Sequence, residues 1–167
     1  SGVSGAGRTL SAIGKVCTLN FYKCAYSLEG HRHLPEIEQE LGMLAPELSL
    51  SITFVPHLVP MNRGILSTCY ASLKNNLERE ALIQLYLDFY QESPFIQVTN
   101  RPPQTKYVWG TNFCLIHPTV DVNTGRLIVI SCLDNLVKGG AGQAVQNMNV
   151  MFNLPQTSGL ESLANYP

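Results

Sequence analysis

The sequence carries few charged residues. They make up 14% of the 167 residues, and 11 basic against 12 acidic side chains give a formal net charge of −1. This excludes the basic surface that is typical of proteins binding nucleic acid or anionic membranes. No apolar run reaches the ~18 residues that a membrane-spanning helix needs. Since 45% of the residues are hydrophobic, we expect a folded domain that binds neither nucleic acid nor membrane. Part of its apolar surface should be covered by another domain or subunit.

A disulfide framework and a metal-binding pattern are also missing. The five cysteines show no CxxC spacing, and an odd number in apolar contexts favours a reducing compartment. We therefore expect buried thiols and a cytoplasmic protein. No third ligand stands at a suitable spacing from the two histidines of His31-Arg32-His33, so we expect no metal.

The chain has no initiator Met and begins inside a glycine-serine loop. We therefore expect it to be a piece of a longer protein in which residues 1–167 form one domain. At this length a chain can bury about two-thirds of its unfolded surface.

Hydrophobic periodicity predicts interleaved strands and helices. A helix should have Pro35 in its first turn, since proline suits that position. Asn75 and Glu78 resemble a capping box before a second helix, and a glycine-containing turn at 121–125 predicts a hairpin. The fold class is therefore α+β, with a mixed, largely antiparallel sheet covered by helices. The predicted strands are 17–26, 51–55, 65–73, 107–120 and 126–133.

Two helices should each bury one apolar face, because their apolar residues repeat near 3.6. The tail after Asn153 shows neither the helical nor the strand period, so it should be irregular. The predicted faces are Leu77, Ala81, Leu82, Leu85 and Phe89 on the second helix, and Val137, Ala141, Ala144, Val145, Met148 and Met151 on the last.

Polar clusters supply the candidate site residues. The backbone of the opening SGVSGAGR segment could cradle an anion, with Arg8 adding a bidentate contact, although a plain connector is the alternative. His31 and His33 precede a helix start, whose dipole favours a neutral imidazole able to act as an acid or base; surface decoration is the alternative. Arg63, at a turn, could hold an anion or simply tether the loop. The segment 134–142 follows a strand and opens a glycine-rich helix, where sites tend to form.

Taken together, these segments resemble the N-acetyl-γ-glutamyl-phosphate reductase family, which belongs to the glyceraldehyde-3-phosphate dehydrogenase-like superfamily. The resemblance covers most of the chain in the family's order, and its one departure is Leu34, where a small polar residue is expected. The matching segments are SGVSGAGR, GHRHLPEIEQEL, FVPHLVPMNRGILSTCYA, TGRLIVISCLDNLVKGGAGQAVQNMN and LPQTSGL.

The resemblance implies the catalytic and dimerisation domain of such a reductase. A nucleotide-binding Rossmann domain, which carries the catalytic cysteine and most of the NADP site, would precede this chain and is absent from it. The last helix would pack on that domain. The complete enzyme would reduce N-acetyl-γ-glutamyl phosphate to the semialdehyde and phosphate through a cysteine thioester, and the isolated chain would be inactive. A homodimer or homotetramer would form through the sheet.

The resemblance also implies roles for individual residues. His31 and His33 would supply the acid/base, with Glu36 orienting it. For the function of the whole protein there are two alternatives. One is a sister reductase for aspartyl or aminoadipyl phosphate, and the other is a non-enzymatic oligomerisation module. The substrate-binding candidates are Arg8, Arg32 and Arg63, and the cofactor-binding candidates are Gly2, Ser4, Gly5, Asn135 and Lys138.

Overall fold

The computed structural model describes residues 1–6, 23–47 and 49–164. The chain divides into two compact units, residues 8–60 and residues 1–7 with 61–167. Each unit is described by itself. That residues 1–167 act as one domain stays a prediction.

In the smaller unit, residues 23–47 and 49–60 are described, and they contain one helix and a short strand pair. Helix α1 (Leu34–Leu44) starts as predicted, with Pro35 in its first turn. Strands β1 (Cys24–Ala25) and β2 (His57–Leu58) pair antiparallel. The predicted strand 51–55 is wrong: those residues form no strand, because the chain pairs with β1 only beyond Pro56. Of the predicted strand 17–26, residues 17–22 lie outside the described residues.

The cysteines differ from the expectation of buried thiols in two respects, because one is disulfide-bonded and Cys69 is exposed. Cys24 is disulfide-bonded, whereas a thiol was expected there. Cys69, Cys114 and Cys132 are free thiols, of which only Cys132 is fully buried. The sequence could not reveal the bond, since pairing depends on how the fold brings two cysteines together.

The larger unit is built on a four-stranded mixed sheet. Its strands are β3 (Ile65–Ala71), β4 (Ile96–Val98), β5 (Cys114–Val120) and β6 (Leu127–Leu133), in the order β3-β6-β5-β4. Only the β4–β5 pair is parallel. The predicted fold class, a largely antiparallel mixed sheet with helices, is confirmed.

The predicted hairpin is the centre of this sheet. Between β5 and β6 the Asp121 carboxylate accepts hydrogen bonds from the Asn123 amide and the Thr124 hydroxyl. Gly125 completes the turn at φ +67°, a conformation that glycine adopts without strain. The strand before the turn starts only at Cys114 rather than at residue 107, because Thr105–Val108 forms a 3-10 turn.

Helix α2 (Arg79–Tyr90) begins later than predicted and buries a different face. Glu78 is its N-cap and makes no side-chain capping bond, so the capping-box prediction is wrong. Leu82 is buried, but Leu85 and Phe89 are 55% and 75% exposed. The face of α2 that is covered carries Leu82, Tyr86 and Tyr90, because α2 packs on β4 and β5. The short strand β4 was not predicted.

The last helix starts at a close approach between segments. Val137–Ala141 forms one wider π turn, and helix α3 (Gly142–Met151) follows. The apolar face predicted for this helix is not buried in this chain: Met148 and Met151 are exposed, and the buried residues of α3 are Gly142 and Asn149. The irregular tail is tied back by Asn149, whose Nδ2 donates to the carbonyls of Gln156 and Ser158.

The core lies between the sheet and the loop before β5. Val108, Leu115 and Cys132 form a buried cluster, against which Phe113 packs. Leu115 and Cys132 are register partners on β5 and β6, so this cluster covers one face of the sheet. Among the described residues, no helix is long and apolar enough to cross a membrane.

Candidate functional site

A buried carboxylate stands at the carboxyl end of β6. Asp134 directly follows this strand and is fully buried. Its Oδ1 accepts the amide hydrogens of Leu136 (2.8 Å) and Val137 (3.1 Å), and its Oδ2 accepts that of Gly110 (2.7 Å). The carboxylate therefore joins the strand end to two separate backbone segments.

Arg63 supplies the charge partner of this carboxylate. Its Nε lies 2.9 Å from Oδ1 and 2.7 Å from Oδ2 of Asp134. The Arg63 side chain is 32% exposed, whereas that of Asp134 is not exposed at all. The Trp109 indole donates to the Arg63 carbonyl at 3.2 Å. The loop carrying Arg63 is therefore held at both its side chain and its backbone.

The environment of Asp134 favours its ionised form. Burial by itself raises the pKa of this carboxyl group, but hydrogen bonds from Gly110, Arg63, Leu136 and Val137 outweigh burial. The pKa of Asp134 is therefore lowered from its ordinary value. Ionisation matters here because only a carboxylate can accept all of these donors.

Asn135 connects the same strand end to the opening loop. Its Oδ1 accepts the Gly64 amide hydrogen at 2.7 Å, and its Nδ2 donates to Ser4 Oγ at 3.0 Å. The backbone amides of Gly2 and Ser4 donate to the carbonyls of Gly64 and Asn62. The 3-10 turn Val3–Ala6 therefore lies against the loop before β3.

One glycine of the opening loop is required by close packing. A Cβ at Gly2 would lie 2.7–2.9 Å from backbone atoms of Arg63. Glycine is thus needed at position 2 for close approach rather than for a left-handed turn. A Cβ at Gly5 would lie 2.6 Å from Ser1 Oγ, which can rotate away, and 3.7 Å from Asn135 Nδ2, so packing does not require glycine at position 5.

The second polar cluster lies in the smaller unit and surrounds His31. The His31 ring contacts Tyr26, His33 and Phe54 edge-on, at centroid distances of 5.6, 4.9 and 5.3 Å. The His33 backbone amide donates to His31 Nδ1 at 3.2 Å. Neutral His31 therefore carries its proton on Nε2, the only ring nitrogen left to donate.

The same surroundings oppose protonation of His31. Burial, and then the charges of His33 and Arg32, lower its pKa from the ordinary value. A proton on Nδ1 would also break the hydrogen bond from the His33 amide. Among the described residues, no hydrogen bond joins Glu36 to either histidine, so its orienting role has no contact here to support it.

The predicted site residues fall into two groups. Gly2, Ser4, Gly5, Arg63 and Asn135 come together around Asp134 in the larger unit, while Arg32, Glu36 and the two histidines lie in the smaller one. Arg8 lies outside the described residues.

Lys138 belongs to neither group. Its Nζ donates to Gln146 Oε1 at 2.8 Å and lies 5.6 Å from the centroid of the Phe95 ring. Burial lowers its pKa, against the opposing effect of Cys114. Among the described residues no cluster of His, Cys, Asp or Glu could hold a metal ion.

Asp134 was not predicted as an individual site residue. The available signal was its position, since an Asp-Asn pair ends a strand before a glycine-rich helix start. Only the fold shows that its carboxylate contacts Arg63, 71 residues earlier in the chain.

The family to which this chain belongs is shown by its sequence. The sequence matches the family described as semialdehyde dehydrogenase, dimerisation domain, over residues 1–135. This range covers more than half of the chain and includes both polar clusters. The chain belongs to this family.

Within that family, the curated relatives named N-acetyl-gamma-glutamyl-phosphate reductase are closely similar. Those from Dehalococcoides mccartyi and Geobacter metallireducens are each 53% identical over the whole of this chain, which covers 49% of their length. The chain thus spans about half the length of the curated relatives it matches. The resemblance found in the sequence segments is confirmed.

Solved structures agree on the fold. Aspartate semialdehyde dehydrogenase from Francisella tularensis has a TM-score of 0.62 at 17% identity, covering 84% of this chain and 42% of that one. A probable aspartate-semialdehyde dehydrogenase from Pseudomonas aeruginosa also has a TM-score of 0.62, at 15% identity, covering 79% and 41%. At such identities the likeness concerns architecture alone.

Proposed function

We propose that this chain is the C-terminal catalytic and dimerisation part of an NADPH-dependent N-acetyl-γ-glutamyl-phosphate reductase, a step of arginine biosynthesis. The observation that carries the proposal is 53% identity over the entire chain to reductases of that name. In the proposed reaction a cysteine thiolate displaces phosphate from the acyl phosphate and forms a thioester. Two-electron reduction of the thioester then gives the aldehyde and frees the thiol. The cysteine would lie in the part of the enzyme that precedes this chain.

His31 is the proposed acid/base. Its neutral tautomer carries a hydrogen on Nε2, which suits donation to an oxygen that gains negative charge. Its lowered pKa keeps the ring neutral near pH 7, and to act as a base it would take up a proton at Nδ1 and give up the hydrogen bond from the His33 amide. His33 assists through its backbone amide, which orients the ring. Arg32 stays a candidate for an anionic group of the substrate, as does Arg8.

Arg63 is the proposed anion-binding residue of the larger unit. Its Nε donates to Asp134, and within the described residues its two terminal nitrogens make no hydrogen bond. A guanidinium in this state offers two parallel N–H donors, which match a carboxylate or phosphate. An acyl phosphate substrate presents both kinds of group.

The opening loop suits the nicotinamide end of NADP. Asn135 Nδ2 uses one hydrogen on Ser4, which leaves the other for the carboxamide of the cofactor. Gly2 and Gly5 keep the neighbouring backbone free of side chains. Lys138 would have to leave Gln146 to take part. When bound, NADPH supplies the reducing equivalents, and most of its site would lie in the preceding domain.

Assembly is proposed to run through the sheet. Leu66 and Tyr70 on edge strand β3 are 51% and 67% exposed, and they share one face because they pair with Cys132 and Ile128. An apolar edge of this kind favours a homodimer, alone or within a homotetramer. Light scattering at tens of micromolar should give a dimer or larger, and a clean monomer would contradict this. The cytoplasmic location stays a prediction, which cell fractionation would test.

The complete protein allows a direct test of the reaction. Purified enzyme should oxidise NADPH with N-acetyl-γ-glutamyl phosphate and, in reverse, reduce NADP with the semialdehyde and phosphate. This chain alone should show neither reaction, because the nucleophile is missing. Equal or faster turnover of aspartyl or aminoadipyl phosphate would instead favour a sister reductase. No turnover with any acyl phosphate would favour an oligomerisation module.

A further inference from the structure

The ion pair between Arg63 and Asp134 uses an unusual part of the guanidinium. Both carboxylate oxygens approach Nε, at 2.9 and 2.7 Å, and within the described residues neither terminal nitrogen has a partner. The guanidinium is planar and rigid. Fixing it at Nε therefore fixes the direction of the terminal edge as well.

Asp134 itself cannot follow the movements of Arg63. Its side chain is fully buried and accepts backbone hydrogens from Gly110, Leu136 and Val137. These donors come from the loop before β5 and from the segment that follows β6. The carboxylate is thus a fixed point, whereas the Arg63 side chain is 32% exposed and needs such a point.

We propose that Asp134 is a positioning residue, which holds Arg63 at Nε so that its terminal nitrogens are set to bind an anionic group of the substrate. This inference rests on the proposed role of Arg63. Asp134 does not touch the substrate, and its effect on binding passes entirely through the guanidinium.

The charge of Asp134 and its positioning role predict opposite effects of Asp134→Asn on anion binding by Arg63. A carboxylate beside a guanidinium weakens the attraction of a second anion, so on charge alone Asp134→Asn should tighten anion binding. If Asp134 positions Arg63, the same substitution should weaken it, because the freed side chain must be ordered again at each binding event. The sign of the change therefore separates the two effects.

The experiment compares variants of the complete enzyme at pH 7. In Asp134→Asn we expect the KM for the acyl phosphate to rise about 10-fold or more, the loss expected for one well-placed charged hydrogen bond. The kcat should stay within about 3-fold, as expected when an interaction is equally strong in the ground and transition states. An unchanged or lower KM would overturn the proposal.

A double-mutant cycle shows whether the effect passes through Arg63. In an Arg63→Gln background, adding Asp134→Asn should not change KM further. Additive effects would overturn the proposal. Asp121→Asn is the matched control, since Asp121 also accepts backbone and side-chain hydrogens but lies in the β5–β6 turn. Its KM should equal that of the wild type.

A second measurement needs no substitution at Asp134 and no turnover. In ¹⁵N spectra of the wild-type enzyme, the Arg63 Nε–H should exchange slowly and keep its shift when inorganic phosphate is added. The terminal N–H signals should move and sharpen. A fast-exchanging Nε–H, or one that shifts with the phosphate, would overturn the proposal. If the enzyme reduces no acyl phosphate, the proposed function fails, and this phosphate titration still decides the role of Asp134.

Discussion

At the start of helix α3, tertiary contacts decide whether replacing Gly142 by alanine raises or lowers the stability of the protein. Alanine for glycine inside a helix ordinarily stabilises a protein by about 1 kcal/mol. At Gly142, however, the added methyl group would lie 2.5 Å from Asn112 Oδ1, 2.6 Å from Val137 Cγ1 and 2.8 Å from the Val137 carbonyl oxygen. We therefore expect Gly142→Ala to destabilise the protein.

Neither neighbour of Gly142 can withdraw without cost. The Gly142 amide donates to the Val137 carbonyl, so that oxygen is held next to the glycine. Asn112 is fully buried, and its Nδ2 donates to Gln146 Oε1 at 3.0 Å. Overpacking costs about 1–3 kcal/mol, and three contacts this short suggest the upper end. Subtracting the gain of about 1 kcal/mol in helix propensity leaves a net loss of about 2 kcal/mol in the free energy of unfolding.

The assay is thermal and urea unfolding of the purified protein, with Gly42→Ala as matched control. Gly42 lies inside α1, and a methyl group there would meet nothing within 4 Å. Gly42→Ala should thus raise the free energy of unfolding by about 0.5–1 kcal/mol. Gly142→Ala should lower the Tm by about 4–8 °C, at the 2–4 °C per kcal/mol usual for this size. A Gly142→Ala variant as stable as the wild type would refute the close packing of α3.

Three further predictions concern titratable groups. The pKa of Asp134 is lower in the folded protein than in the unfolded chain, so at acid pH the unfolded chain binds more protons than the folded protein. The free energy of unfolding should therefore fall as the pH drops from the ordinary pKa of an aspartate through the lowered pKa of Asp134. Asp134→Asn should be less stable at pH 7, with a gap to the wild type that narrows on acidification; a constant gap in urea titrations would contradict this. NMR titration should place the pKa of His31 below 6.5, and His33→Asn should raise it by removing a nearby charge; a lower value in the variant would count against the cluster geometry. Burial raises the pKa of Cys132 to about 11, so iodoacetamide at pH 8 should label exposed Cys69 first and Cys132 only after unfolding, as mass spectrometry can show.

Several local features followed from the sequence alone. The β5–β6 hairpin and the start of α1 were predicted because the turn residues and Pro35 act on their own backbone. The α+β class followed from the interleaved periodicities. Long segments shared with one family were sufficient to predict the family, which the match over residues 1–135 then confirmed.

Features that depend on a partner could be seen only in the tertiary structure. α2 turned a different face to the sheet than its apolar pattern indicated, since Leu85 and Phe89 are as hydrophobic as Leu82 and only the neighbours decide which is covered. Strand β4 is three residues long, too short for an alternating pattern, and it exists because β5 pairs with it.

The same distinction holds for the site. Gly2, Ser4, Arg63 and Asn135 could be named from their segments, because those segments are long and specific. That Asp134 holds Arg63 across 71 residues of sequence could not, since a buried ion pair depends on which segments the sheet brings together. Sequence alone determined which residues are available to the chemistry, and the tertiary structure decided which of them hold one another in place, because hydrogen bonds and packing act over a few ångströms of space rather than along the chain.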